Sequence, residues 1–327
     1  MAMPALGALF ECERFERIAL IINDQAAPIV AAIFRGASCL ACPPVYHSWL
    51  RTTYHAARLS LWVSLLGCTE VLDLRHDRIS DAVSATISTF VFTRKSKSNV
   101  RDRAKEEYSS DSEIQYAHEY YEQLVARTLD RRPRDIIKIL ETSQHLMARV
   151  VERRKSPSLH GICLCPGAST NSKSWPLSRW ISLSDKLHEA GYSVSMLADP
   201  SEDLHCLRTA ARSSGIRILL DSSLLGAARN LAYADIAITC DSALAHLAFA
   251  VGTPILTLFG PTEPSKWFPY HLVDGGTTIS LSDHPNCYPC QRMTCTSSTP
   301  CMNRIAVEDV ATTICDYIAE HEMERHA

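Results

Sequence analysis

At 327 residues, with 46% apolar and 21% charged side chains, the chain is long enough for two ordinary domains and has the balance of a globular protein. A net charge of −3 gives no support for a nucleic-acid partner, which calls for a basic surplus or stripe. No transmembrane segment is expected, because the apolar tract 59–68 is too short to cross a bilayer and 243–259 is broken by His246, Gly252 and Pro254. The opening residues, MAMPALGALFECERF, lack a basic n-region and make a poor signal peptide. The expected compartment is therefore the cytoplasm, where thirteen cysteines are expected as reduced thiols.

In chain order, residues 15–35 predict a strand over 18–22, a turn at Asn23 and Asp24, and a helix started by Pro28. Helical spacing recurs over 48–66, followed by a strand over 70–74 and a helix over 78–90. The basic run 94–103, RKSKSNVRDR, reads as a solvated loop, with a peripheral lipid-phosphate contact as the alternative. A polar excursion over 101–113 leads into helix formers over 114–140, interrupted by Pro133. The charged stretch 149–158 is a plausible linker, so the first domain is expected to cover 1–155 and the second 156–305.

The second half alternates strictly. A strand over 160–165 enters the loop 166–174 (PGASTNSKS), and Pro176 starts a helix with Trp180, Leu183 and Leu187 on one face, ended by Gly191. Strands over 192–198, 216–220 and 236–239 then alternate with helices over 202–213 and 223–233. Such alternation predicts an α/β fold with a parallel sheet and helices on both faces, whose ligands bind at the carboxyl ends of strands. The loops to watch are 166–174, 198–203 and 240–246.

The most telling stretch is 235–270, which reads as strand, tight turn, helix, turn and second strand. Ser242 can cap its helix, whose first N–H groups and positive dipole end suit an anion such as a diphosphate. The alternative is an ordinary capped helix, with Asp241 serving as a cap and His246 as a hydrogen-bonded core histidine. Trp175 and Trp180 read as core.

Three runs, PGASTNSKSWPLSRW (166–180), LADPSED (197–203) and ADIAITCDSALAHLAFAVGTPILTLFGPT (234–262), jointly resemble the second domain of the family 9 glycosyltransferases, the heptosyltransferases. The tail, with CYPCQRMTC over 287–295, is similar too. The resemblance implies a GT-B fold: two Rossmann-like domains facing a cleft, with residues 306–327 as a helix returning to the first. It implies a nucleotide-sugar donor, usually ADP-heptose, and a lipopolysaccharide inner-core acceptor. By this similarity Lys173 acts on the donor diphosphate, with Ser169 and Thr170 in the same loop. Asp241 contacts the transferred sugar, Ser242, Ala243 and Leu244 offer backbone N–H groups to the phosphates, and His246 lies one turn further on. Glu202 accepts hydrogen bonds from ribose hydroxyls. An ammonium and preorganised amides can stabilise a departing diphosphate, so no cofactor is required for transfer.

The first half departs from the family pattern, in which a D-x-x-G-D motif supplies the catalytic base. Asp24 is the favoured substitute and Asp81 its rival. Without a base facing the cleft, the chain would be a catalytically inactive nucleotide-sugar-binding protein. The spacing of Cys287, Cys290, Cys295 and Cys301 is that of a thiolate site compatible with structural Fe or Zn, or of a stiff loop held by packing. Members of the branch that glycosylates autotransporter proteins carry iron on such a finger, which makes a protein O-heptosyltransferase a further alternative.

Overall fold

The computed structural model describes residues 3–12, 18–23, 26–35, 38–42, 117–152, 161–168, 170–198, 215–221, 223–273, 278–281, 285–290, 292 and 294–326. Two compact units divide the chain, Met1–Leu146 and Met147–Ala327.

In the first unit, β1 (Ala19–Asn23) pairs in parallel with β2 (Ser38–Cys42), with Ile21 opposite Leu40. Helix α1 (Met3–Phe10) buries residues 4–9, and α2 (Ala27–Ile33) carries Pro28 in its first turn, where a missing N–H costs nothing. The expected helix over 114–140 is two helices, α3 (Ala117–Thr128) and α4 (Ile136–Ala148), with Pro133 in the break. Glu122, fully buried on α3, locks that break: its carboxylate accepts from Arg131 at 2.7 Å and from the Arg134 side chain at 2.7 and 3.0 Å. Arg134 also donates to the carbonyl of Pro4 at 2.7 Å, tying α1 to the same corner.

The second unit holds one six-stranded, wholly parallel sheet. Its strands are β3 (Gly161–Cys165), β4 (Ser193–Ala198), β5 (Arg217–Leu220), β6 (Ile236–Cys240), β7 (Ile255–Leu258) and β8 (Thr278–Leu281), in spatial order β5-β4-β3-β6-β7-β8. The central strands are buried along nearly their whole length, which is why GICLC and IAITC show no polar alternation. Helix α5 (Leu177–Glu189) sets Trp180, Leu183 and Leu187 into the core, and Gly191, at φ +90°, terminates it. Trp175 meets Trp180 edge to face, with centroids 5.0 Å apart, and donates Nε1–H to the carbonyl of Ile305 at 3.1 Å. Both tryptophans are core, as expected.

Helix α6 (Leu224–Ala232) and helix α7 (Ala243–Ala250) are rich in alanine, and α7 packs on α6, β6 and β7. A short helix α8 (Pro264–Trp267) follows β7, and α9 (Val307–His326) closes the chain. Helix α9 belongs to the second unit, packs on α5, and buries Val307, Val310, Ile314 and Ile318 in the sheet's core. An apolar stripe at this spacing goes to the nearest uncovered core. Among the described residues, no helix is long and apolar enough to cross a membrane.

Candidate anion site at the carboxyl end of the sheet

Counted within the second unit, the strand order is 3-2-1-4-5-6. Chain direction on the sheet reverses between β3 and β6, which are neighbours although β4, β5 and their connections intervene in sequence. Loops leaving two such strands diverge to opposite faces and open a crevice above the carboxyl ends. The loop after β3 carries Lys173, and the turn after β6 carries Asp241 and Ser242.

These two loops meet. Lys173 Nζ lies 2.6 Å from Asp241 Oδ2, a pair separated by 68 positions in sequence. The lysine arrives there because the loop is tied internally. Residues Asn171–Lys173 form a 3-10 turn, the Lys173 amide donates to the Thr170 carbonyl at 3.1 Å, and Ser174 Oγ donates to that carbonyl at 3.1 Å. Thr170 Oγ1 and Ser172 Oγ are 3.0 Å apart, and Ser172 Oγ donates to the carbonyl of Arg292 at 2.6 Å. Gly260, just past β7, completes the support: a Cβ there would lie 2.9 Å from the Ser172 carbonyl oxygen and 2.8 Å from Met302 Sδ. Only glycine permits that approach.

Asp241 is 5% exposed, and a carboxylate so buried needs partners. Besides Lys173 it has Thr262, whose Oγ1 donates to Oδ2 at 2.5 Å. Both donors address one oxygen. Immediately beyond, α7 begins at Ser242, whose extended backbone is that of an N-cap. The expected side-chain cap is corrected: Ser242 makes no capping hydrogen bond, and its buried Oγ has no partner among the described residues. By contrast Ser223, at the start of α6, accepts from the Gly226 amide at 3.0 Å. The start of α7 thus keeps an unused hydroxyl beside the helix's first N–H groups, which have no intrahelical acceptor. Ala243 is exposed, and Leu244 and His246 are partly buried.

His246 is held by aromatic rings. Its Nδ1 is hydrogen-bonded to the hydroxyl of Tyr270, and its ring stacks on Phe268 with centroids 5.0 Å apart and planes 28° apart. Tyr270, fully buried, stacks in turn on Phe249 at 3.9 Å. Burial, reinforced by the charge of Asp241, pushes the Tyr270 phenol well above its usual pKa. Burial also pushes the Cys240 thiol up to about 12.

Lys173 and Thr170 therefore lie on the β3 loop, Asp241 and Ser242 on the β6–α7 turn, and Ala243, Leu244 and His246 in α7 itself, the two loops being joined by the Lys173–Asp241 pair. Asp24, Asp81, Ser169 and Glu202 lie outside the described residues. Thr262, Phe268 and Tyr270 escaped the sequence reading. The signal was available for Thr262, since it sits in the loop at the carboxyl end of β7, next to β6.

The four-cysteine segment needs a correction. Cys287, Cys290, Cys295 and Cys301 line one small cavity of ≈ 20 Å³ together with Ser172 and Arg292. Among the described residues, however, no three Cys, His, Asp or Glu side chains are arranged to share a metal ion. Cys301 is buried in the sheet's core beside Met302, whereas Cys287 is exposed. The thiols as they stand do not fit the expected Fe or Zn, and the segment is held by packing and by the Ser172–Arg292 bond.

Comparison with known proteins gives a consistent picture. A family model described as glycosyltransferase family 9 (heptosyltransferase) matches residues 81–299. Lipopolysaccharide heptosyltransferase 1 of Pseudomonas aeruginosa is 34% identical over 131 residues, covering 40% of this chain and 36% of that protein. The chain spans about a third of the length of the curated relatives it matches. Among solved structures, the family 9 glycosyl transferase of Veillonella parvula superposes with a TM-score of 0.63 at 15% identity, covering 98% of this chain and 93% of that one. The ADP-heptose lipopolysaccharide heptosyltransferase II of Escherichia coli gives 0.61 at 16%, covering 98% and 95%. These likenesses carry the fold, which is α/β of the GT-B class.

Proposed function

The chain belongs to glycosyltransferase family 9, and we propose that it transfers a heptosyl group from ADP-heptose to a hydroxyl of the lipopolysaccharide inner core, with inversion at the anomeric carbon. The reaction is a single displacement in the cytoplasm. The acceptor oxygen forms a bond to the anomeric carbon as the bond from that carbon to the diphosphate oxygen breaks, and the hydroxyl proton passes to a carboxylate base. Asp24 is the residue proposed as that base, and Glu202 as the ribose ligand.

One observation carries the reading: an ammonium, Lys173 Nζ, sits 2.6 Å from the carboxylate that precedes the amino end of α7. Negative charge develops on the departing diphosphate, and donors fixed in advance around it lower the barrier without reorganising at the moment of reaction. Lys173, the backbone N–H groups of Ser242, Ala243 and Leu244, and the Ser242 hydroxyl, which has no partner among the described residues, are such donors. Until the donor arrives, Asp241 holds the ammonium in place. Once the diphosphate takes the lysine, Thr262 keeps the group oriented through Oδ2, and Oδ1, which neither donor addresses, is offered to the sugar. Ser169 and Thr170 line the same loop.

The test is Lys173→Ala in the full chain, assayed with labelled ADP-heptose and with lipid and protein acceptors in parallel. A lost charge-assisted bond of about 1.5–3 kcal/mol predicts ADP binding weaker by roughly tenfold to a hundredfold. Turnover should fall by a factor on the order of 10² to 10³. Full activity in the variant would remove the assignment. Label appearing only on protein would replace the lipopolysaccharide acceptor with a polypeptide, and tight ADP binding with no transfer to either would make the chain a binding protein.

A further inference from the structure

We propose that Cys287 and Cys290 form a redox-active dithiol coupled to the anion site: a small-molecule disulfide oxidises the pair to a bridge, which draws the Arg292 carbonyl away from Ser172 and weakens donor binding. The inference rests on the diphosphate reading above for its binding readout, though not for its thiol chemistry or its geometry.

The thiols sit directly behind the site. Cys287, Cys290, Cys295 and Cys301 share one cavity with Ser172 and Pro261. The residues that follow those last two, Lys173 and Thr262, are the donors that meet on Asp241 Oδ2, at 2.6 and 2.5 Å. Ser172 Oγ donates at 2.6 Å to the carbonyl of Arg292, two positions beyond Cys290. The loop that carries the ammonium therefore leans on the cysteine segment, and the bond to Arg292 is the strut between them.

Burial sorts the four thiols. Cys301 is 8% exposed and packs in the sheet's core, which closes it to a reagent. Cys287 is exposed, Cys290 and Cys295 are half-buried, and all are free thiols. Cys290 follows Cys287 across a turn at 286–287 and a bend at 289, with the Cys-X-X-Cys spacing of dithiols that exchange with disulfides. Between β8 and residue 301 the described residues contain no helix or strand, so little backbone structure opposes a local shift.

The exchange runs in two steps. The Cys287 thiolate attacks one sulfur of a small disulfide such as oxidised glutathione; that S–S bond breaks, one glutathione thiolate leaves, and a mixed disulfide forms on Cys287. The Cys290 thiolate then attacks Cys287 Sγ, forms the protein S–S bond and expels the second glutathione. Two protein thiols lose two electrons, the small disulfide is reduced to two thiols, and the two protons end on the departing sulfurs. The bridge holds the two Cβ atoms about 3.8 Å apart, a constraint that reaches Arg292 through only two residues. A hydrogen bond made at 2.6 Å is lost once its acceptor moves by about 1 Å.

The experiment treats the full reduced chain with oxidised glutathione. Differential alkylation and peptide mass spectrometry map the bridge, calorimetry gives ADP affinity, and hydrogen exchange reports on 170–174. A 287–290 bridge should form, exchange over 170–174 should rise, and ADP binding should weaken by about threefold to tenfold, the loss of one hydrogen bond. Dithiothreitol should reverse all three. Cys290→Ser should stop at a glutathione adduct on Cys287, Cys287→Ser should form no bridge, and both should bind ADP like the reduced parent. Ser172→Ala should bind ADP as weakly as the oxidised parent, with no further loss on oxidation; a loss as large as in the parent would overturn the coupling through Arg292. A bridge between other cysteines, or none, overturns the proposal, as does a 287–290 bridge that leaves exchange over 170–174 unchanged. If the bridge forms and exchange rises but neither the reduced nor the oxidised protein binds ADP, the coupled dithiol stands and the diphosphate reading falls.

Discussion

The two units solve the problem of a buried charge differently. In the first, Glu122 is surrounded by Arg131 and Arg134, and every partner is spent on holding a corner between α1, α3 and α4. In the second, Asp241 takes Lys173 and Thr262 on a single oxygen at the mouth of a sheet, beside a serine hydroxyl with no partner among the described residues. A saturated ion pair is structure. An ion pair with donors left over beside it is a place for a ligand, and the difference lies in what surrounds the carboxylate rather than in the residue types.

The sharpest way to break this comparison is Glu122→Ala. It strands two guanidinium groups at a buried corner and should cost about 3–5 kcal/mol. Hydrogen exchange read by mass spectrometry on the full chain should show protection lost over 117–148 and kept over 236–258; equal loss in both would mean that the units do not keep separate accounts of stability. Gly260→Ala comes next, at about 1–3 kcal/mol, because the new methyl meets a backbone oxygen and Met302 together. Exchange should rise over 170–174 and 300–305, ADP binding should weaken, and 117–148 should be untouched.

The smallest effect is a difference in pH response. His118 and Glu122 both have folded pKa values below their ordinary ones, His118 at about 3 through burial. For Glu122, burial alone would raise the value, but hydrogen bonds from Arg134 and Arg131 outweigh it. Their contribution is complete above the ordinary histidine value of 6.5 and is lost as pH falls, first through His118 and then through Glu122, because the unfolded chain takes up protons that the fold refuses. Cys240 and Tyr270 are shifted the other way. Their contribution is complete below pH 9.0, the ordinary thiol value, and is lost as pH rises toward 12. Exchange measured across pH, corrected for intrinsic rates, should therefore show the first unit loosening in acid and the second in alkali. Parallel profiles would erase the distinction.

Much of the second unit was legible beforehand. The boundaries of β3, β4, β6, α7 and β7 follow from apolar runs and from stops such as Gly191 and Gly252, the latter also at positive φ. The first unit was less so. β2 is a five-residue run, SCLAC, without alternation, and α1 is an apolar octapeptide that reads equally well as coil. Lys173 and Asp241 were picked out by the carboxyl-end rule together with a family resemblance, but their pairing was not foreseen. The role of Ser242 was misassigned because residue type predicts the N-cap position and not what the side chain bonds to. The four cysteines show the same limit: spacing brought them to one cavity without arranging them as ligands.

What the sequence by itself determined is the local syntax, namely which segments are strands, which are helices and which loops leave the carboxyl ends, because steric preference and burial periodicity act within a few residues. That β3 lies beside β6, that Thr262 reaches Asp241, and that a tyrosine 24 positions away is hydrogen-bonded to His246 were decided only in three dimensions. Strand order and side-chain pairing depend on which surfaces remain to be covered once the whole sheet has assembled, and no local pattern encodes that choice.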